Sequence, residues 1–299
     1  MVSAVILAYN RRPEVLYTIN KLKELQPTLP FEMEIIVVDN ASTDNTSIEV
    51  TQVYPDVHLI TRDKNNGVAG WNDGFKAAKG DYFLVLDDDS HIYSGFTESI
   101  QYLDANPDVG ILALHIKDPD LKGDDNLDSR DAWKDKEEVV GFIGCGAIIR
   151  RELYEKIGGF SEWVFIYTHE FDYAIRSLDA GYKLRFFEHG IVIHRASKLN
   201  RTNKRLITFS TRNELGIVYK YFRNQKRKYI YRIMINNLKV VKRDGLATGY
   251  YILSGYYEFL KIKKTLELTP VSQAAQDFYA SHFWSTKPVL ANLKRRFFS

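Results

Sequence analysis

The 299-residue chain is poor in the features that would place it in several protein classes at once. It has a single cysteine, Cys145, which excludes an intramolecular disulfide framework and suits a reducing compartment. No Cys/His spacing of a structural zinc site occurs. No run of about 18 apolar residues is present, so no transmembrane helix is expected. The first residues enter a strand pattern directly, without the basic and apolar segments of a signal peptide. Neither G-x-G-x-x-G nor a P-loop follows that strand, so phosphate has no glycine-rich backbone cradle. A net charge of only +3 gives no argument for a nucleic-acid partner. These absences leave a cytoplasmic globular protein of one sizeable domain, or one plus an appendage.

What the chain does have is organised around Tyr82-Phe83-Leu84-Val85-Leu86-Asp87-Asp88-Asp89-Ser90. The wholly apolar run reads as a strand buried on both faces. It ends in three adjacent carboxylates, which repel one another and resist desolvation unless water or a cation compensates them. A divalent ion on hard oxygen ligands is the natural partner, and such an ion can hold a phosphate. The plainer reading is a solvated acidic turn after a core strand.

Two further apolar runs precede it, Ser3–Tyr9 and Glu34–Asn40, the second also reaching a carboxylate at Asp39. Val57–Ile60 is a shorter strand. Between them, Pro13 opens a helical pattern of Leu16, Ile19, Leu22 and Leu25, and Ala41–Thr46 supplies cap residues for a second helix. A turn at Asn65–Gly70 leads into a helix over 71–78. Strands alternating with helices through 90 residues predict a mostly parallel α/β sheet. Right-handed crossovers place Tyr9, Asp39 and Asp87 along one edge.

These segments together resemble family 2 glycosyltransferases of the GT-A fold, from residue 2 to about 200. Val5-Ile6-Leu7-Ala8-Tyr9-Asn10-Arg11 is similar to that family's opening strand and nucleotide loop, and Ile36–Asp44 to its second strand, whose Asp contacts the base. Asn66-Gly67-Val68-Ala69-Gly70 through Gly80-Asp81 precedes a D-x-D match at Asp87-Asp88-Asp89. Gly146–Arg151 and Ile157–Phe160 resemble the acceptor-side segment. The family's acidic pair is replaced here by His169-Glu170, with Asp172 and Arg176 following. Ile191–His194 is an apolar strand ending in the histidine that completes the metal shell in some members.

The resemblance implies transfer of a sugar, with inversion, from a UDP- or dTDP-sugar to a glycan or lipid-linked saccharide in cell-surface polysaccharide synthesis. It implies Mn²⁺ or Mg²⁺ on Asp87, Asp89 and His194, and a donor site built from Ala8, Tyr9, Asn10, Arg11, Asp39, Asn66, Gly67, Asp87 and Asp88. Glu170 is the implied general base, with His169 as the alternative proton acceptor. Asp172 is either an acceptor contact or the partner of Arg176 in a helix ion pair. Gly144 and Gly146 either admit substrate to the backbone or form a turn. Trp71, Trp133 and Trp163 have faces on which sugars stack, though burial is the commoner fate of Trp. Trp163, just before the base, is the candidate of the three. The acidic segment 118–138 reads as a loop over the site or a solvated insertion.

From about residue 195 the composition turns basic and aromatic, which marks residues 201–299 as a helical C-terminal region beside a catalytic domain of 1–200. This region resembles the extension of rhamnosyl- and galactofuranosyltransferase-like members. Its cluster Arg223–Lys228 and its end at Lys294–Phe298 suit peripheral contact with an anionic membrane, or packing in a homo-oligomer. Two other readings are a non-catalytic nucleotide-sugar or glycan binding protein of the same fold and a sugar-nucleotide pyrophosphorylase. The latter wants a glycine-rich loop where Tyr9–Pro13 has none.

Overall fold

A computed structural model describes residues 1–117, 119, 138–195 and 202–283. The four expected strands form as β1 (Val2–Ala8), β2 (Met33–Asp39), β3 (His58–Thr61) and β4 (Tyr82–Asp87). They pair in parallel in the order β3-β2-β1-β4. The connecting helices are α1 (Arg12–Leu25), α2 (Thr46–Val53) and α3 (Trp71–Ala77). The buried stripe of α1 is Val15, Thr18, Ile19 and Leu22, with Leu16 and Leu25 only partly covered. Spacing alone cannot separate two adjacent apolar stripes on one short helix; the sheet beneath selects one.

Beyond β4 the sheet is mixed, because its strands no longer come from right-handed crossover units. The chain turns at the acidic triplet straight into β5 (Ser90–Ser94). Helix α4 (Phe96–Ala105) then leads to β6 (Val109–Lys117), and β7 (Ala147–Arg150) follows after the undescribed stretch. Next come α5 (Arg151–Ile157), α6 (His169–Asp179) and β8 (Lys183–His194). The eight strands run β3-β2-β1-β4-β7-β6-β8-β5. β7 is antiparallel to both β4 and β6, whereas β6 and β8 are parallel. β5 pairs antiparallel with β8 and sets Ser90 opposite His194. That last pairing carries the C-terminal end of β8 to the acidic triplet.

The C-terminal region consists of α7 (Asn203–Tyr221), α8 (Lys226–Asp244), α9 (Leu246–Ile262) and a helix α10 over 273–283. Its inner faces merge with the main core through Leu215, Ile217, Val218, Tyr221 and Phe283. Polar contacts tie the two regions as well. Tyr221 Oη donates to Asp172 Oδ1 at 2.7 Å, while Ser161 Oγ and Arg176 hold the other oxygen at 2.8 and 3.1 Å. Burial, helped by the Asp172 charge, raises the pKa of the Tyr221 phenol and keeps it a donor.

Asn213 on α7 is fully buried and its Nδ2 donates to the carbonyls of Val164, Ile166 and Tyr167 at 2.8–3.0 Å. The segment it grips carries three non-glycine residues with positive φ, Phe165 (59°), Tyr167 (62°) and Thr168 (57°). Such backbone persists only where its surroundings over-determine it. Asn213→Ala strands these buried carbonyls, and is expected to lower the stability measured by urea unfolding by about 2 kcal/mol. An unchanged midpoint would show that the segment holds its shape without α7.

Candidate functional site

The chain leaves β1 towards β2 and β3, then crosses back to place β4 on the other side of β1. Strand order therefore reverses between β1 and β4, and open α/β sheets form their ligand crevice beyond the strand ends at such a point. Leu7 lies opposite Asp87 and Ala8 opposite Asp39. The loop after β1 is stitched to the loop after β2: Asn10 N donates to Ser42 Oγ at 2.9 Å and Thr43 N to Asn10 Oδ1 at 2.7 Å.

The acidic triplet divides into one carboxylate on a cavity wall and two beneath it. Asp88 and Asp89 are wholly buried. Arg11 reaches down from the β1 loop, with Nη2 2.7 Å from Asp88 Oδ1 and Nη1 2.6 Å from Asp89 Oδ2. Tyr9 N also donates to Asp88 Oδ2, at 3.3 Å. Burial works against the guanidinium charge, but the carboxylates of Asp88 and Asp89 outweigh it and raise the Arg11 pKa. For Asp88, burial dominates the Arg11 attraction, and repulsion from Asp89 and Asp87 adds to it, so its pKa is held well above the usual carboxylate range. His194 Nε2 lies 3.2 Å from Asp89 Oδ1.

Asp87 is half-buried and lines the cavity with His194 and Cys145. One ligand-capable atom from each of these three lies within 4.8 Å of the others. A carboxylate, an imidazole and a thiol in such a cluster fit a divalent cation, and a carboxylate on the far ring nitrogen is how proteins commonly orient a ligating histidine. The cluster thus fits a divalent cation at Asp87 and His194, beside Cys145, with Asp89 in contact with the His194 imidazole.

The facing wall comes from the start of α6 and the segment before it. His169 and Glu170 occupy its first turn, both buried and both lining the cavity, with His169 Nδ1 3.3 Å from Glu170 Oε2. The His169 ring is held by Trp71 and Phe160, at centroid distances of 5.9 and 5.2 Å. Gly144 permits that position, since a Cβ there would sit 2.6 Å from His169 Nε2. Gly67 is constrained twice: its φ is +67°, and a Cβ would meet the Phe165 carbonyl oxygen at 1.8 Å. Only glycine satisfies both conditions.

Of the residues expected at the site, Ala8, Tyr9, Arg11, Gly67, Asp87, Gly144, His169, Glu170 and His194 line one cavity. Others sit around it. Asn10 stitches loops, and Asp39, with only 1% exposure, accepts from Ser42 N at 2.9 Å and from Ser47 Oγ. Asn65 rather than Asn66 is on the wall. Gly146 gives room to Ile116, 2.3 Å from where its Cβ would be, and Trp163 packs its ring on Gly216 of α7. Asp172 is buried in the Ser161, Arg176 and Tyr221 contacts, so its ion pair with Arg176 forms. Trp71 lies in the wall with its Nε1 donating to Leu86 O at 3.2 Å. Trp133 falls outside the described residues, as does the segment 118–138 apart from Pro119 and Glu138.

The sequence reading passes over Asn40, Cys145, Tyr167 and Arg205, which also line the cavity. Asn40 had a signal, since it directly follows the second strand; its Nδ2 donates to Gly67 O at 3.0 Å. Arg205 had none, because it comes from α7 in the C-terminal region.

Removing Arg11 would leave two buried carboxylates without their cation, a change that typically costs 3–5 kcal/mol. Arg11→Met is accordingly expected to destabilise the protein by about 3 kcal/mol in urea unfolding. An unchanged midpoint would mean that Asp88 and Asp89 do not depend on Arg11.

The model of glycosyl transferase family 2 matches residues 3–158, and that of glycosyl transferase family group 2 matches residues 82–293. An uncharacterized glycosyltransferase of Haemophilus influenzae is 30% identical over 171 residues, covering 54% of this chain and 56% of its own length. The uncharacterized glycosyltransferase YwdF of Bacillus subtilis is 28% identical over 190 residues, 59% of this chain and 67% of its own. The match thus spans little more than half of the first of these proteins. Among solved structures, residues 1–349 of S. aureus TarS in complex with UDP-GlcNAc align with a TM-score of 0.58 at 14% identity, covering 99% of this chain and 91% of that fragment. The mannosyltransferase PcManGT of Pyrobaculum calidifontis, in complex with GDP-Man and Mn²⁺, gives 0.57 at 17% identity, over 99% and 86%. These likenesses carry the GT-A fold, and with the family match over half the sequence they establish that the chain belongs to glycosyl transferase family 2.

Proposed function

We propose that the protein is an inverting glycosyltransferase that moves a sugar from a nucleoside-diphosphate donor, UDP- or dTDP-linked, to a glycan or lipid-linked saccharide of the cell surface, at the cytoplasmic side of the membrane. The observation that carries this reading is the pairing of walls: Glu170 and His169 face the same cavity as Asp87, His194 and the β1 loop. The donor complexes of TarS and PcManGT are consistent with it. Residues 1–200 form the catalytic unit in this reading, and 201–299 support it.

Asp87 and His194, with Asp89 against the His194 imidazole, would hold a Mn²⁺ or Mg²⁺, which would supply charge neutralisation for the departing diphosphate. Tyr9, Arg11 and Asn65 border the donor end of the cavity. Glu170 accepts the proton of the acceptor hydroxyl as that oxygen attacks the sugar, and the adjacent His169 imidazole holds the carboxylate in place. One base suffices because inversion needs a single displacement.

The test is a panel of nucleotide sugars screened for Mn²⁺-dependent turnover, with donor affinity measured by calorimetry. Glu170→Gln is expected to lower kcat by about 10²–10⁴-fold and leave donor affinity within about twofold. Turnover that survives in Glu170→Gln and disappears in His169→Ala would move the base to His169. Absence of any nucleoside-diphosphate binding would refute the reading. Asp87→Asn and His194→Ala are each expected to weaken Mn²⁺-dependent nucleoside-diphosphate binding by about 10–100-fold, and Asp89→Asn to do the same through His194. Unchanged affinity in any of them would remove that residue from the cation site.

A further inference from the structure

We propose that the outer face of the α8–α9 hairpin docks on an anionic lipid surface, lying on the membrane without crossing it. Helix α9 buries Thr248, Ile252, Gly255 and Phe259 against the protein. Gly255 lets α9 settle onto α7, where a Cβ would meet Thr208 O at 2.7 Å, and Thr208 Oγ1 donates to Tyr251 O at 3.1 Å. The opposite face is also apolar. Leu246, Tyr250, Leu253, Tyr257 and Leu260 recur at spacings of four and three and are 57–88% exposed. Helix α8 contributes a second exposed stripe of Tyr231, Met234 and Leu238. A helix that is apolar on both sides has a further partner, and single exposed side chains do not line up in this way.

Charge selects the partner. Residues 226–264 hold ten Lys and Arg against two acids, whereas the rest of the chain holds 31 basic against 36 acidic residues. Both acids of the hairpin are engaged locally, Asp244 with Arg243 and Glu258 with Lys261, each at 2.8 Å. An isologous dimer through these stripes would bring together two hairpins that each carry eight net positive charges. An anionic bilayer accepts the same apolar residues and attracts the same charges. Tyrosines beside leucines suit the headgroup level, where a ring is buried and its hydroxyl stays wet. Among the described residues no helix is long and apolar enough to cross a membrane, so the hairpin lies on the surface. Thr208 is three residues from Arg205, which lines the cavity, so docking brings the site near the bilayer. The inference does not depend on the proposed chemistry.

The experiment is co-sedimentation of the full chain with vesicles of phosphatidylcholine, alone or with about one third phosphatidylglycerol, without nucleotide or metal. Binding to the mixed vesicles is expected to be at least about tenfold stronger than to the neutral ones, and to fall by a similar factor near 1 M salt, where the Debye length is about 3 Å. Two exposed-site variants, Leu253→Glu with Tyr257→Glu, and Lys239→Glu with Lys242→Glu, are each expected to lose at least about tenfold in vesicle binding and to keep the wild-type melting curve. Binding to neither vesicle, or equally to both, would overturn the proposal. So would a dimer, seen by light scattering, that Leu253→Glu with Tyr257→Glu converts to monomer. Variants that keep wild-type vesicle binding would overturn it too.

Discussion

Two buried carboxylates side by side are a severe electrostatic constraint, and much of this structure is arranged to meet it. Asp88 and Asp89 lie where the parallel half of the sheet ends and β5 begins, and Arg11 is the cation that makes their burial tolerable. The same corner is closed from behind by Arg195, whose backbone N–H donates to Asp89 O at 2.9 Å. Its side chain binds Glu14 and Thr18 on α1 and the Asp88 carbonyl. The first helix, the acidic turn and the end of the last strand are thereby one unit. Asp87 is left free of that unit's burial and faces the cavity. Its neighbours have already settled their charges elsewhere.

The opposite wall is built by a different means. The segment 163–168 has a backbone that its own residues would not choose, and its carbonyls turn towards α7, where Asn213 and Arg212 collect them. Glu170 follows directly, in the first turn of α6. Besides placing Arg205 on the cavity wall, the C-terminal region thereby fixes the path of the chain that presents Glu170. A rigid support of this kind is what the proposed general base requires, since displacement by an ångström is costly in rate. The basic outer hairpin adds a second role at the other side of α7, where the same helix that steadies the site carries the surface proposed to meet lipid.

The parts of the fold that could be read in advance are those governed by local pattern. β1, β2 and β4 are continuous apolar runs, and a strand buried on both faces has little other choice of sequence. β5 and β6 were not read, for opposite reasons. Ser90-His91-Ile92-Tyr93-Ser94 is short and mostly polar, and it is a strand only because the edge of β8 is there to pair with it. Val109–Lys117 is apolar enough, but its partners β7 and β8 come much later in the chain. Trp163 shows the same limit at the site. Its position just before Glu170 suggested a sugar platform, whereas a glycine on α7 gives its ring a packing place that no local pattern could announce.

The amino-acid order by itself determined that carboxylates would gather at the ends of apolar strands, that Asn65–Gly70 would form a turn, and that Pro13 would open a helix. Each of these follows from forces acting within a few residues: desolvation of charge, the turn-forming bias of Asn and Gly, and the φ that proline fixes. Which of three consecutive aspartates faces the cavity was decided only in the tertiary structure. All three have the same chemistry and adjacent positions, so local forces cannot rank them. The ranking comes from Arg11, 77 residues away from Asp88 in the chain, and from His194, brought to Asp89 by the pairing of β5 with β8. A buried charge takes its role from whichever partner reaches it, and that partner is chosen by the fold.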